Sequence, residues 1–133
     1  MNPANRWVQW AGYGINALIA ALMLFAGAGK AFGFAPPEIM TKLKGFGLAE
    51  RAQLIGAGEM AAAVLLLISW TSPLGVLLTS GFWGGVICIH MAHGEDIVFP
   101  SVLLALTWVG AFLRGSVPLV VVPPVAPRTG PAA

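Results

Sequence analysis

The chain has 133 residues, 58% of them hydrophobic and only 9% charged, with a mean hydropathy of +0.85. A water-soluble domain of this size needs far more charge to cover its surface, so the composition selects a membrane protein. Seven basic residues leave a formal charge of +2 with no basic stripe for nucleic acid, and the single Cys88 excludes a disulfide framework or a four-thiolate metal site within one chain.

Four apolar segments approach the roughly 20 helical residues, in a range of about 17 to 25, that cross a hydrocarbon core. The first, residues 10–32, has no charge between Arg6 and Lys30. Its apolar run exceeds the roughly 7 to 15 residues of a signal core, so a retained span is expected despite the small residues AGAG near its end. Between it and the second span, GFAPPEIMTKLKGFGLAER predicts a short interfacial helix. Ile39, Met40, Leu43 and Phe46 share one face, Pro37 and Glu38 suit a first turn, and Lys42 and Lys44 precede Gly45. The pattern favours a membrane-surface anchor, and the alternative is a lid over a site below.

The second span, residues 52–70, contains Glu59. The third, 74–91, follows a start signal in which Ser72 can cap and Pro73 can take the first helical position. The fourth, 97–113, begins near Pro100 and stops at Arg114. Period-two polarity is missing, so helices are the credible way to satisfy the backbone in lipid. The expected architecture is all-α: an integral membrane four-helix bundle over residues 1–114, with the interfacial helix between spans one and two. Residues 115–133, with five of the ten prolines, read as an extended tail.

Antiparallel spans bring Lys30, Glu59 and His90 to one membrane boundary. Glu59 is eight residues past Arg51, so it sits roughly 12 Å along its helix from that boundary, within reach of a lysine stem. The stretches GAGK (27–30) and GAGE (56–59) put Gly27, Gly29, Gly56 and Gly58 just before opposite charges on consecutive helices, and Gly81 and Gly85 add small residues to span three. Small residues let membrane helices approach closely, which would exclude lipid and let Lys30 pair with Glu59. The pair can fix helix register alone or serve chemistry. His90 can do chemistry or merely cap carbonyls, and His93, Glu95 and Asp96 read as loop polarity.

Sharper motifs fail. GAGAGKA lacks the spacing, the hydroxyl residue and the preceding strand of a phosphate loop, and GAGKAF misses the last glycine of a dinucleotide fingerprint. His90 and His93 with Glu95 make a poor metal site on so short a loop, so no metal is expected. Cys88 lacks a thiol partner in sequence and reads as a small core residue.

The order GAGKAFG, a proline-bearing loop with GFG, IGAGEMAAAVLLLI, LLTSGFWGGVICIHMAHGE and a fourth span ended by LR resembles the DoxX-like family of small bacterial membrane proteins, over about residues 10–114. The resemblance implies a four-helix bundle of the cytoplasmic (inner) membrane with Lys30, Glu59 and His90, followed by the HGE loop, as its polar cluster. It also implies termini in the cytoplasm, which loop charges do not decide. Relatives serve as membrane subunits of thiosulfate:quinone oxidoreductases, as membrane partners of sulfurtransferase and superoxide dismutase, or as receptor-assembly and cargo factors. Three functions follow as expectations. One is an accessory or scaffold subunit, non-enzymatic by itself, that docks a protein partner or another copy in the bilayer. The others are a quinone-linked redox subunit using Lys30, His90 or Glu59, and a small proton-coupled carrier or channel gated by Glu59. Quinone is the only cofactor these readings bring in.

Overall fold

The computed structural model describes residues 3–117, and in that range the chain is all-α. Helix α1 spans Pro3–Phe32, the short α2 Pro37–Gly45, α3 Ala52–Leu67 after a 3-10 turn at Ala49–Arg51, α4 Ser72–Ala92, and α5 Val98–Arg114. The four longer helices form an antiparallel ring in which α1 packs on α3 and α5, and α4 closes the ring between them. Pro37 begins α2 as expected, and Pro73 falls one place inside the start of α4, in its first turn.

Each helix turns one stripe inward. On α1, Gly12, Asn16, Ile19, Ala20, Met23 and Gly27 recur every three or four residues. The matching stripe on α3 is Ala52, Gly56, Glu59, Ala62, Ala63 and Leu66. On α4 it is Ser72, Gly75, Val76, Thr79 and Trp83, and on α5 it includes Leu103, Thr107, Gly110, Ala111 and Arg114. The seams are thus made largely of alanine, glycine and hydroxyl residues, while Leu18, Phe25, Leu77, Val102 and Phe112 face outward. A water-soluble bundle would reverse this, because water drives its large apolar side chains inward, whereas lipid leaves close packing of small residues as the cohesive force. Asn5–Phe32 and Ser72–Ala92 are long and apolar enough to cross a membrane, and Val98–Arg114 is a shorter apolar helix. The fold is that of a helical membrane bundle.

Element ends depart from expectation in instructive ways. Helix α1 starts at Pro3, seven residues before the apolar run, because polar residues outside hydrocarbon do not stop a helix. Helix α3 stops at Leu67 rather than at residue 70: Ile68 is extended (φ −75°, ψ 120°), and the Thr71 hydroxyl donates to the carbonyls of Leu65 (3.0 Å) and Ile68 (3.2 Å). Helix α4 begins at Ser72, with Thr71 in the cap position, so the Ser72 hydroxyl is buried inside the first turn and makes no cap bond. Of the tail, all but residues 115–117 lie outside the described residues.

The glycines divide into two kinds. A Cβ on Gly27 would meet the Gly56 carbonyl oxygen and the Met60 side chain, each at 2.8 Å, and one on Gly56 would collide with the Gly27 carbonyl oxygen. Gly29 packs on Ala35 of the following turn, not on a neighbouring helix. A Cβ added to Gly58, Gly81 or Gly85 would find nothing within 4 Å, so their expected part in helix packing is corrected: they face away from the seams. Conversely Gly75, against the Leu65–Leu66 backbone, and Gly12 and Gly110, on the α1–α5 seam, are contacts that the GAGK and GAGE pattern does not reveal. Gly56→Ala is therefore expected to destabilise the bundle by about 1–3 kcal/mol through overpacking. Gly58→Ala should be neutral or stabilise by up to about 1 kcal/mol through helix propensity. Unfolding in detergent, followed by circular dichroism, measures both.

Candidate functional site

The Gly27–Gly56 crossing fixes what lies beside it. With no side chains between the two backbones, the Lys30 Cβ comes to 3.0 Å from where a Gly56 Cβ would stand, and Glu59 follows Gly56 by one helical turn on the same face. The Lys30 ammonium reaches the carboxylate, with Nζ to Oε2 at 2.6 Å, and the two side chains are 11% and 2% exposed. The contact is ionic more than directional, since Oε2 has no partner of good hydrogen-bond angle. Burial would strongly disfavour a lone carboxylate here, and the ammonium offsets that cost.

Beside the pair opens a cavity of about 650 Å³, within the usual range for small-molecule sites. Its walls are almost wholly apolar. Leu22 and Ala26 come from α1, Ile55 from α3, and Phe82, Trp83, Val86 and Ile89 from α4, with Phe99 and Pro100 at the start of α5. Lys30, Glu59 and His90 all border it, so the three residues expected at one boundary share one cavity. Gly81 and Gly85 also line it, which is the physical role that replaces helix packing: two missing side chains on successive turns of α4 leave space. Trp83 is buried with its indole N–H unpartnered. The residue types in its stretch gave no reason to single it out.

Helix α2 roofs the cavity. Ile39, Lys42 and Leu43 line it, as does Phe46 just beyond the helix end, so most of the helix's apolar face borders the site. Two contacts hold the roof down. The Lys42 ammonium donates to the Glu95 carboxylate at 2.8 Å. The Phe46 ring lies against both imidazoles, with centroids 5.7 Å from His90 and 4.7 Å from His93. Gly94 positions Glu95: in the left-handed region (φ 67°), it ends α4 and lets the Glu95 N–H bond back to the His90 carbonyl at 2.9 Å.

Each imidazole is oriented by a carbonyl. His90 Nδ1 stands 2.8 Å from the Asp96 carbonyl oxygen and His93 Nδ1 2.9 Å from that of Ile89. A carbonyl only accepts, so Nδ1 carries the proton in both, and Nε2 of His90 is left as an acceptor when the ring is neutral. Among the described residues no cluster of three metal-ligating side chains forms. Cys88 is exposed on α4, not a core residue as its apolar surroundings implied.

The latch carries a pH dependence with a definite sign. Its hydrogen bond from Lys42, then the ammonium charge itself, holds the Glu95 carboxyl below the usual carboxylate range. A lowered folded-state value means that the latch is fully formed above that range and is lost as pH falls through the lowered value. Glu95→Gln should raise hydrogen exchange of the α2 amides by about two- to fivefold at neutral pH, as suits an exposed ion pair. Acidification, after correction for intrinsic exchange, should reproduce that loosening in the unaltered chain and add nothing in the variant.

A family model described as the DoxX-like family matches residues 14–110, a stretch that contains Lys30, α2, Glu59, His90, His93 and Glu95. No curated protein and no solved structure matches the chain.

Proposed function

The chain belongs to the DoxX-like family, and from that premise we propose that it is an accessory membrane subunit whose lidded cavity holds a lipid-soluble molecule of the quinone class. The observation that carries this reading is the cavity itself: an apolar volume of about 650 Å³ bordered by one ammonium, one carboxylate and one imidazole. Aromatic and branched walls suit a flat ring with a hydrocarbon tail, and a few convergent polar groups suit its oxygens.

A quinone bound there supplies two-electron, two-proton carrier chemistry, and the electrons come from a partner protein. The chain's own residues bind, orient and handle protons. Lys30 donates to an oxygen while Glu59 holds its ammonium in place. His90, whose Nδ1–H is committed to Asp96, has Nε2 for accepting or, when protonated, donating a proton at the cavity edge. Helix α2 excludes water while the latch is closed. In this reading the protein lies in the bacterial inner membrane with its termini in the cytoplasm, so that the cavity and its lid stand at the periplasmic boundary.

Lipid extracted from protein purified out of native membranes should contain quinone at near-stoichiometric amounts, read by its redox difference spectrum. Gly85→Leu fills the cavity without touching a helix seam, so it should leave the fold intact and reduce bound quinone by at least about tenfold. Equal amounts of quinone in both proteins, or none in either, would overturn the assignment.

A further inference from the structure

At the end of the bundle opposite the lid, a second charge is buried with no partner of opposite sign among the described residues. Arg114, the last residue of α5, is 4% exposed. Its Nη1 donates to the Leu66 carbonyl at 2.9 Å, and its Cζ lies 4.5 Å from the centroid of the Tyr13 ring. Nε and Nη2 are buried with no partner. Those two nitrogens form the side-on edge of the guanidinium, the fork that matches two oxygens of a phosphate or carboxylate. On the same α1–α5 seam, Asn16 presses against Gly110 with both amide atoms unpartnered at 0% exposure. The Ser72 hydroxyl, at the start of α4, is also buried and unpartnered.

The sequence has no acid to answer this charge. All five are Glu38, Glu50, Glu59, Glu95 and Asp96, which belong to α2, the turn before α3, the first half of α3 and the α4–α5 loop, at the lid end. None occurs in residues 1–37 or 97–133. A buried guanidinium needs a counter-charge, and for Arg114 a side chain of the same chain cannot provide it.

We propose that Arg114, with Tyr13 beneath its guanidinium, forms a binding site for the phosphate group of an anionic phospholipid. The depth fits. Tyr13 and Lys30 are seventeen residues apart on α1, roughly 26 Å, close to the thickness of about 30 Å of a hydrocarbon core, so the two cations mark opposite boundaries. Exposed Trp7, Trp10 and Trp70 stand at the Arg114 end, where indoles gather at the headgroup level. The guanidinium fork is closed over in this structure. Binding a headgroup therefore requires the Arg114 side chain, at the last position of its helix, to turn outward about its own torsions.

Native mass spectrometry and thermal unfolding of the full chain in detergent test the site, with phosphatidylglycerol, phosphatidylcholine and inorganic phosphate as probes. Phosphatidylglycerol should be retained in preference to phosphatidylcholine and should raise the unfolding midpoint. Arg114→Lys keeps the charge but lacks the fork, and should weaken that retention by about tenfold. Arg6→Gln, which removes an exposed cation at the same boundary, should leave the preference intact. If Arg114→Lys does not fold, the lipid preference of the unaltered chain and of Arg6→Gln still decides. Equal retention of the two lipids overturns the proposal. So does loss of the preference in Arg6→Gln, or stabilisation by inorganic phosphate equal to that by the lipid, which would make the ligand a free anion.

Discussion

The structure depends on one close approach. Where α1 crosses α3, Gly27 and Gly56 bring backbone against backbone, and the Lys30–Glu59 pair closes directly beside that contact. Each feature supports the other. Without the crossing, lipid would reach the two charges, and without the pair, the crossing would seat a lone carboxylate in an apolar seam. Each removes the principal cost of the other, and together they set the register of α1 against α3. The cavity is the by-product of that register: α4 faces the pair across a gap that its own Gly81 and Gly85 do not fill.

The lid follows from the same scarcity of charge. The 9% of charged residues is concentrated at few places, and at the cavity end two ion pairs form, one deep and one at the surface. The deep pair is nearly dry and organises helices. The outer pair, Lys42–Glu95, is half exposed, so solvent screens it and its hold on α2 is modest. Under the proposed function, that difference suits a roof that opens to admit a ligand from the membrane while the floor stays fixed. Phe46 between two imidazoles adds a contact whose strength changes when either ring is protonated, because a cation over an aromatic face is attracted more than a neutral ring.

The helical class, the four apolar segments, the interfacial helix and the convergence of Lys30, Glu59 and His90 could be read from the sequence because they follow from hydropathy, helix length and antiparallel order. Those are one-dimensional quantities. What failed to show depends on rotation about a helix axis. Gly56 and Gly58 are two residues apart and look equivalent in GAGE, yet about 200° of rotation separates them, so one meets α1 and the other meets nothing. Gly81 and Gly85 look like packing residues until the structure places them on the cavity wall, where an added Cβ would meet nothing within 4 Å. Lys42 was visible as a cation near a helix end, but its partner lies 53 residues on, in a loop whose acidity had no address without coordinates. Asn16 was the plainest missed signal, since an amide inside an apolar span calls for a partner by the same reasoning that singled out Glu59.

The two ends of the bundle handle polarity in opposite ways, and this asymmetry carries information about what surrounds the protein. At the lid end the acids outnumber what pairing requires, and both cations that line the cavity have carboxylate partners within 3 Å. At the other end the charged side chains among the described residues are arginines, and one of them is buried. A chain that folded its ionisable groups only for its own stability would have no reason to bury a guanidinium where it supplies no acid. The bilayer removes the contradiction. It offers phosphates at a fixed height on each side, so a helix end that stops at that height can leave its counter-charge to the lipid, whereas a group meant to act on a ligand inside the hydrocarbon must bring its counter-charge with it. Under the two proposals, Lys30 stands in the second situation and Arg114 in the first, and the placement of five acids in one sequence distinguishes them.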